Sequence, residues 1–112
     1  MAAAEQSGAG TGSANGAAAL VADGAGRFRL SGAATVPTVA QLRTTGLQAF
    51  AASAGEIVVD LSAISRVDSA GLALLIDWLA WARAAGRALR FASPPAALLA
   101  LARLSDVEPL LI

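Results

Sequence analysis

The 112-residue chain contains no cysteine and no histidine. Those two absences exclude disulfide frameworks, thiolate zinc sites, imidazole bases and every triad built on histidine. Lysine is missing too, since the 8 basic residues are all arginine, and 8 carboxylates balance them. A formal charge of zero gives no field of one sign, so neither nucleic acid nor an anionic membrane is expected as a partner. Apolar runs are also too short for a bilayer. The longest, Ala70 to Ala82, is interrupted by Asp77 and reaches about two-thirds of the roughly 20 residues of a spanning helix. Despite 56% hydrophobic residues, the chain reads as a soluble domain without direct membrane insertion. The start, "MAAAEQSGAGTGSANGAAA", has Glu5 instead of a basic cluster and no apolar core after it, so a cytoplasmic location is expected.

Residues 1 to 18 are small and polar with almost nothing to bury, the composition of a disordered tail. The remainder, 19–112, has room for one domain and one core. "LVADGAGRFRLSG" predicts a β-hairpin turning at Asp23-Gly24-Ala25-Gly26, with Phe28 and Leu30 on one face and Arg27 and Arg29 on a wet one. Val36-Pro37-Thr38 starts a helix running to about Ala52, with Val39, Leu42, Leu47 and Phe50 near one side. "EIVVDL", Glu56 to Leu61, predicts a central strand covered on both faces and paired in parallel. Ser62 to Arg66 reads as a loop, and a long helix from Ser69 to about Ala85 follows, ended by Gly86. "ALRF" gives another strand, Ser93-Pro94-Pro95 a cap with proline in the first turn, and Ala96 to Leu104 a last helix. The ββαβαβα order places the chain in the α/β class, with a small mixed β-sheet and helices packed mostly on one face.

In the long helix, Leu72, Leu75, Trp78, Leu79 and Ala82 form the arc expected to face the sheet, with Leu74 and Trp81 at its margin. The opposite side carries Ser69, Ala73, Ile76, Asp77, Ala80, Arg83 and Ala84. A solvated helix face is normally charged, so this small, apolar surface reads as a docking face, with Ile76 and the marginal Trp81 as further arguments for it. Alanine is also the best helix former, and filling of indifferent positions is the competing explanation.

Asp68-Ser69 stands where this helix begins. Either side chain can cap a free amide of the first turn. A phosphate on Ser69 would be stabilised at the same place and would add about two negative charges to a nearly neutral face. Arg66, just before the pair, is either a solvated loop residue or a bidentate contact for a carboxylate or phosphate. No paired carboxylates, ligand cluster or phosphate loop is legible, so no enzyme activity, catalytic residue, metal or cofactor is expected. "GAGTGSANG" lacks the preceding strand of a phosphate loop. Asp60 is expected to bind backbone amides in the loop leading to Ile64.

"VVDLSAISRVDSAGLALLIDWLAWARAAGRALRF" resembles the central segment of STAS domains, the sulphate-transporter and anti-sigma-factor-antagonist family. The family's hallmark is an apolar strand ending in Asp-Leu, then Asp-Ser/Thr-x-Gly-Leu opening a helix. "LLALARLSDVEPLLI" is similar to its closing helix and Leu-rich tail, and the likeness covers Leu20 to Ile112. Within the family, "SRVDSAGLALL" looks most like the stand-alone STAS subunit of Mla-type ABC transporters, which move phospholipids between Gram-negative membranes. That resemblance implies a cytoplasmic accessory protein, peripheral to the inner membrane, that binds the transporter's ATPase subunit and supports its assembly and activity. Arg66, Asp68, Ser69, Ala73, Ile76, Asp77 and Ala80 would form the partner-binding surface. Ser69 departs from that group, where threonine is common. The alternative is an anti-sigma factor antagonist whose residue matching Ser69 is phosphorylated by a serine kinase of the anti-sigma type. Those antagonists usually carry acidic residues in the loop matching Gly32 to Thr38, where this chain has no carboxylate and Thr35 stands in place of aspartate.

Overall fold

The computed structural model describes residues 18–111. The tail expected over residues 1 to 18 lies outside the described residues except for Ala18, which opens the first strand. β1 (Ala18–Ala22) pairs antiparallel with β2 (Arg27–Ala34), Leu20 opposite Leu30. β2 pairs in parallel with β3 (Ile57–Val67), and β3 in parallel with β4 (Leu89–Ala92), giving the order β1-β2-β3-β4. Helices α1 (Val36–Ala52), α2 (Ser69–Ala84) and α3 (Ala96–Leu104) follow β2, β3 and β4 in the expected ββαβαβα sequence.

Alternation along the strands decides which face the helices cover. Phe28 and Leu30 of β2 are buried while Arg27 and Arg29 are exposed. Ile57, Val59 and Leu61 of β3 join Leu42 and Phe50 of α1, Leu72, Leu75 and Trp78 of α2, and Leu98 of α3 in one core. Val58 is also buried but stands outside that core. Its register neighbours are Arg27 and Arg90, both exposed, and their aliphatic stems suit the wet side of the sheet.

The loop expected over Ser62 to Arg66 is strand. β3 continues to Val67, with register shifts against β2 between Arg29 and Ser31 and between Gly32 and Ala33. Asp60 pairs with Arg29 and Ala63 with Ser31, then Ile64 with Gly32 and Arg66 with Ala33, so each shift inserts one extra β3 residue. Such bulges break the two-residue period that identifies a strand in sequence. Asp60 does bind a backbone amide, accepting from Ser62 N at 2.8 Å, but at a bulge within the strand.

The last helix also starts differently. Pro95 occupies the capping position, its carbonyl accepting from Leu98 N and Leu99 N at 3.0 and 3.1 Å, and both prolines precede the first turn. A residue before proline is disfavoured from helical geometry, which keeps Pro94 outside. Ser93 lies further out, at φ 54°.

Two contacts lock the layers. Trp78 is fully buried and meets Phe50 edge-to-face at 5.2 Å and 82°. Its indole lies against Gly46 of α1 so closely that a Cβ there would come 2.5 Å from Cζ2. At the far end of α1, Arg87 donates to the carbonyls of Phe50 (3.1 Å) and Gly55 (2.8 Å) and to Ser53 Oγ (3.2 Å).

Candidate partner-docking site

The site is built around the junction of β3 and α2. Asp68 is the N-cap of α2: Oδ1 accepts from Gly71 N at 3.0 Å. Its second oxygen, Oδ2, accepts from Val36 N at 3.1 Å, so the same carboxylate serves the first turn of α1. The Asp68 amide in turn donates to Ala34 O at 3.3 Å. This close approach requires glycine at position 71, where a Cβ would stand 2.1 Å from Ala34 O. Burial raises the Asp68 carboxyl, but the amides of Gly71, Val36, Ala70 and Asp68 itself outweigh it and hold the group below its ordinary value. At Asp60 the Ser62 amide is the strongest influence, and with Arg29 it lowers that carboxyl as well.

With Asp68 as the cap, Ser69 is left exposed at the first helical position, and no hydrogen bond engages its hydroxyl among the described residues. Arg66 is exposed near the end of β3 and has no ion-pair partner among the described residues. α1 opens without acidic residues, capped at Thr35, whose amide donates to Thr38 Oγ1 at 3.1 Å. Thr35 thus fills the N-cap at the position where the antagonists' pattern has aspartate, and the side chain bonded there is that of Thr38.

From this corner a groove of about 580 Å³ runs between α1 and α2. Ala70, Ala73, Leu74, Ile76, Asp77 and Ala80 line one wall, and Val39, Ala40 and Arg43 the other. Four of the residues singled out in the sequence, Ala73, Ile76, Asp77 and Ala80, are thus brought together, with Asp68 and Ser69 preceding Ala70 at the end of that wall. The α1 wall was not anticipated. Arg43 and Asp77 form an ion pair across the groove, 34 positions apart in the chain. That pairing has no local sequence signal.

The margins of α2 differ from expectation in two places. Leu74 is buried and contributes to the groove, whereas Leu79, assigned to the sheet-facing arc, is half-buried. Trp81 packs on Phe50 at 6.0 Å and lies outside the groove, so it gives no support to the docking face.

The groove walls are mostly small apolar side chains, with the Arg43–Asp77 ion pair between them. No group of three or more metal-ligating side chains occurs among the described residues. No helix among them is long and apolar enough to cross a membrane.

Comparison with known proteins agrees with this architecture. A search of curated proteins found no match. Among solved structures, the anti-sigma factor antagonist SpoIIAA in its unphosphorylated form aligns with a TM-score of 0.67 over 86% of each chain. Sequence identity to it is 18%, a likeness of fold alone. The family model described as "Mlab, STAS domain" matches residues 18–112. Spanning every described element from β1 onward, that match establishes that the chain belongs to the STAS domain family.

Proposed function

We propose that this protein is an accessory STAS subunit that binds the ATPase of an Mla-type ABC transporter and supports its assembly and activity in phospholipid trafficking between Gram-negative membranes. On this reading it acts in the cytoplasm, held at the inner membrane by its partner. The observation carrying the proposal is the α1–α2 groove, lined by small apolar residues and crossed by one neutralised ion pair. A partner's apolar side chains would gain roughly 25 cal/mol per Å² buried there, with little charge to desolvate. The description of the matching family model is consistent with this subtype.

Affinity capture of the tagged protein from its own cells, followed by mass spectrometry, tests the proposal. Wild type should recover an ABC ATPase, and Ala73→Arg, which fills the groove from an exposed position, should lose it. Absence of any ATPase from the wild-type capture would refute the assignment.

The exposed, unengaged Ser69 hydroxyl favours one other reading, an anti-sigma factor antagonist switched by a serine kinase. Phosphate there would place about two negative charges beside Asp68 at the end of the groove. Recovery of such a kinase, together with phosphate on Ser69, would replace the transporter assignment. The carboxylate-free segment Gly32 to Thr38 weighs against that outcome.

A further inference from the structure

Among the described residues, the two edges of the sheet are protected unequally. β4 is four residues long, and its exposed Arg90 forms an ion pair with Glu56. β1 pairs with β2 along five residues, Ala18–Ala22, without a register shift, and carries no charge and no proline. Val21 is 57% exposed, and Ala19 and Ala22 are exposed with it. Its outer row of backbone N–H and C=O groups has no partner strand among the described residues. Folded proteins usually blunt such an edge with lysine, proline, a bulge or a covering element. β1 has none of the first three.

We infer that β1 is a pairing edge for a second copy of this chain, the two β1 strands meeting antiparallel about a two-fold axis at Leu20. In that register Ala18 faces Ala22 of the copy, and Ala19 faces Val21. Every cross-axis pair is apolar, and the half-buried Leu20 meets its own counterpart, so the strand is complementary to itself. Pairing of β4 with its copy would instead bring Arg90 and Glu56 to the joint. A β1-to-β4 contact would be heterologous and would give a ring or an open filament instead of a two-fold dimer. No residue of the α1–α2 groove lies on β1, and the inference stands independently of the transporter assignment.

A five-residue edge gives an interface well below the roughly 1,600 Å² of a standard stable complex, so the dimer should be weak. Sedimentation of the full chain, from micromolar to about millimolar concentration, should show the mass rising from 11.1 kDa towards twice that value. Val21→Glu keeps an exposed side chain opposite Arg29 and should weaken association at least about tenfold. Leu104→Glu, at the most exposed of the large hydrophobic residues, should leave it unchanged. In wild type, amide exchange of residues 18–22 should slow as concentration rises, a readout that needs no variant. A monomer throughout the range would overturn the inference. So would growth into filaments, insensitivity to Val21→Glu, or loss of association in Leu104→Glu.

Discussion

Replacing Gly46 by alanine tests whether the α1–α2 seam is set by steric contact with Trp78. On propensity alone the change should stabilise α1, because glycine in a helix interior costs about 1 kcal/mol relative to alanine. The seam argues the opposite. An added Cβ would lie 2.5, 2.6 and 2.8 Å from Cζ2, Cε2 and Nε1 of an indole with no exposed surface, itself held edge-on by Phe50. Overpacking of this kind typically costs about 1–3 kcal/mol, and contact with three atoms of a confined rigid ring places this site at the upper end. Subtracting the propensity gain leaves a net loss of about 2 kcal/mol. For a domain of this size that lowers Tm by about 10 °C. Urea unfolding should show a lower midpoint with unchanged slope. Trp78→Phe removes the atoms that collide, together with a buried Nε1 that has no hydrogen-bond partner. In that background Gly46→Ala should cost at least about 1 kcal/mol less, a coupling readable by a double-mutant cycle. A neutral or stabilising effect in wild type, or an equal cost in both backgrounds, would refute the steric account.

Gly71→Ala should cost about 3 kcal/mol by calorimetry, since α2 must lift from Ala34 O and strain both bonds to Asp68. Asp68→Ala should lower stability by about 1–2 kcal/mol at pH 7 in urea titrations. Because the folded Asp68 carboxyl is held low, its stabilisation is complete above the unfolded carboxylate value and lost as pH falls through the folded one. The gap between wild type and the alanine variant should therefore narrow below about pH 4. Arg66→Ala should weaken capture of the ATPase while changing stability by less than about 0.5 kcal/mol, and a large fall in Tm would make Arg66 structural.

The element order was legible because each helix is preceded by a strand and a turn or cap signal, as in Gly32 to Thr38 before α1 and Asp68 before α2. The second half of β3 was not, because the two extra residues, one between Asp60 and Ala63 and one between Ile64 and Arg66, break the alternating pattern. Half the groove was readable from α2 alone, where Ala73, Ile76 and Ala80 are too apolar for a solvated face. Its other wall depends on how α1 lies against α2, and that is set by Gly46 beneath Trp78, a long-range fit invisible to periodicity. Trp81 misled for a related reason: aromatic character indicates a contact, but only the packing shows that the contact is internal to the fold, against Phe50.

The shared carboxylate of Asp68 makes a single cooperative unit of two segments 32 positions apart. With one oxygen bonded to Val36 N and the other to Gly71 N, fraying of either helix start exposes the group that secures its neighbour. The two amides should therefore open together, with similar protection against hydrogen exchange, and not as independent ends. Whatever grips the first turn of α2 thereby also quiets the start of α1, so occupancy at one margin of the groove is felt at the other without displacement of the sheet.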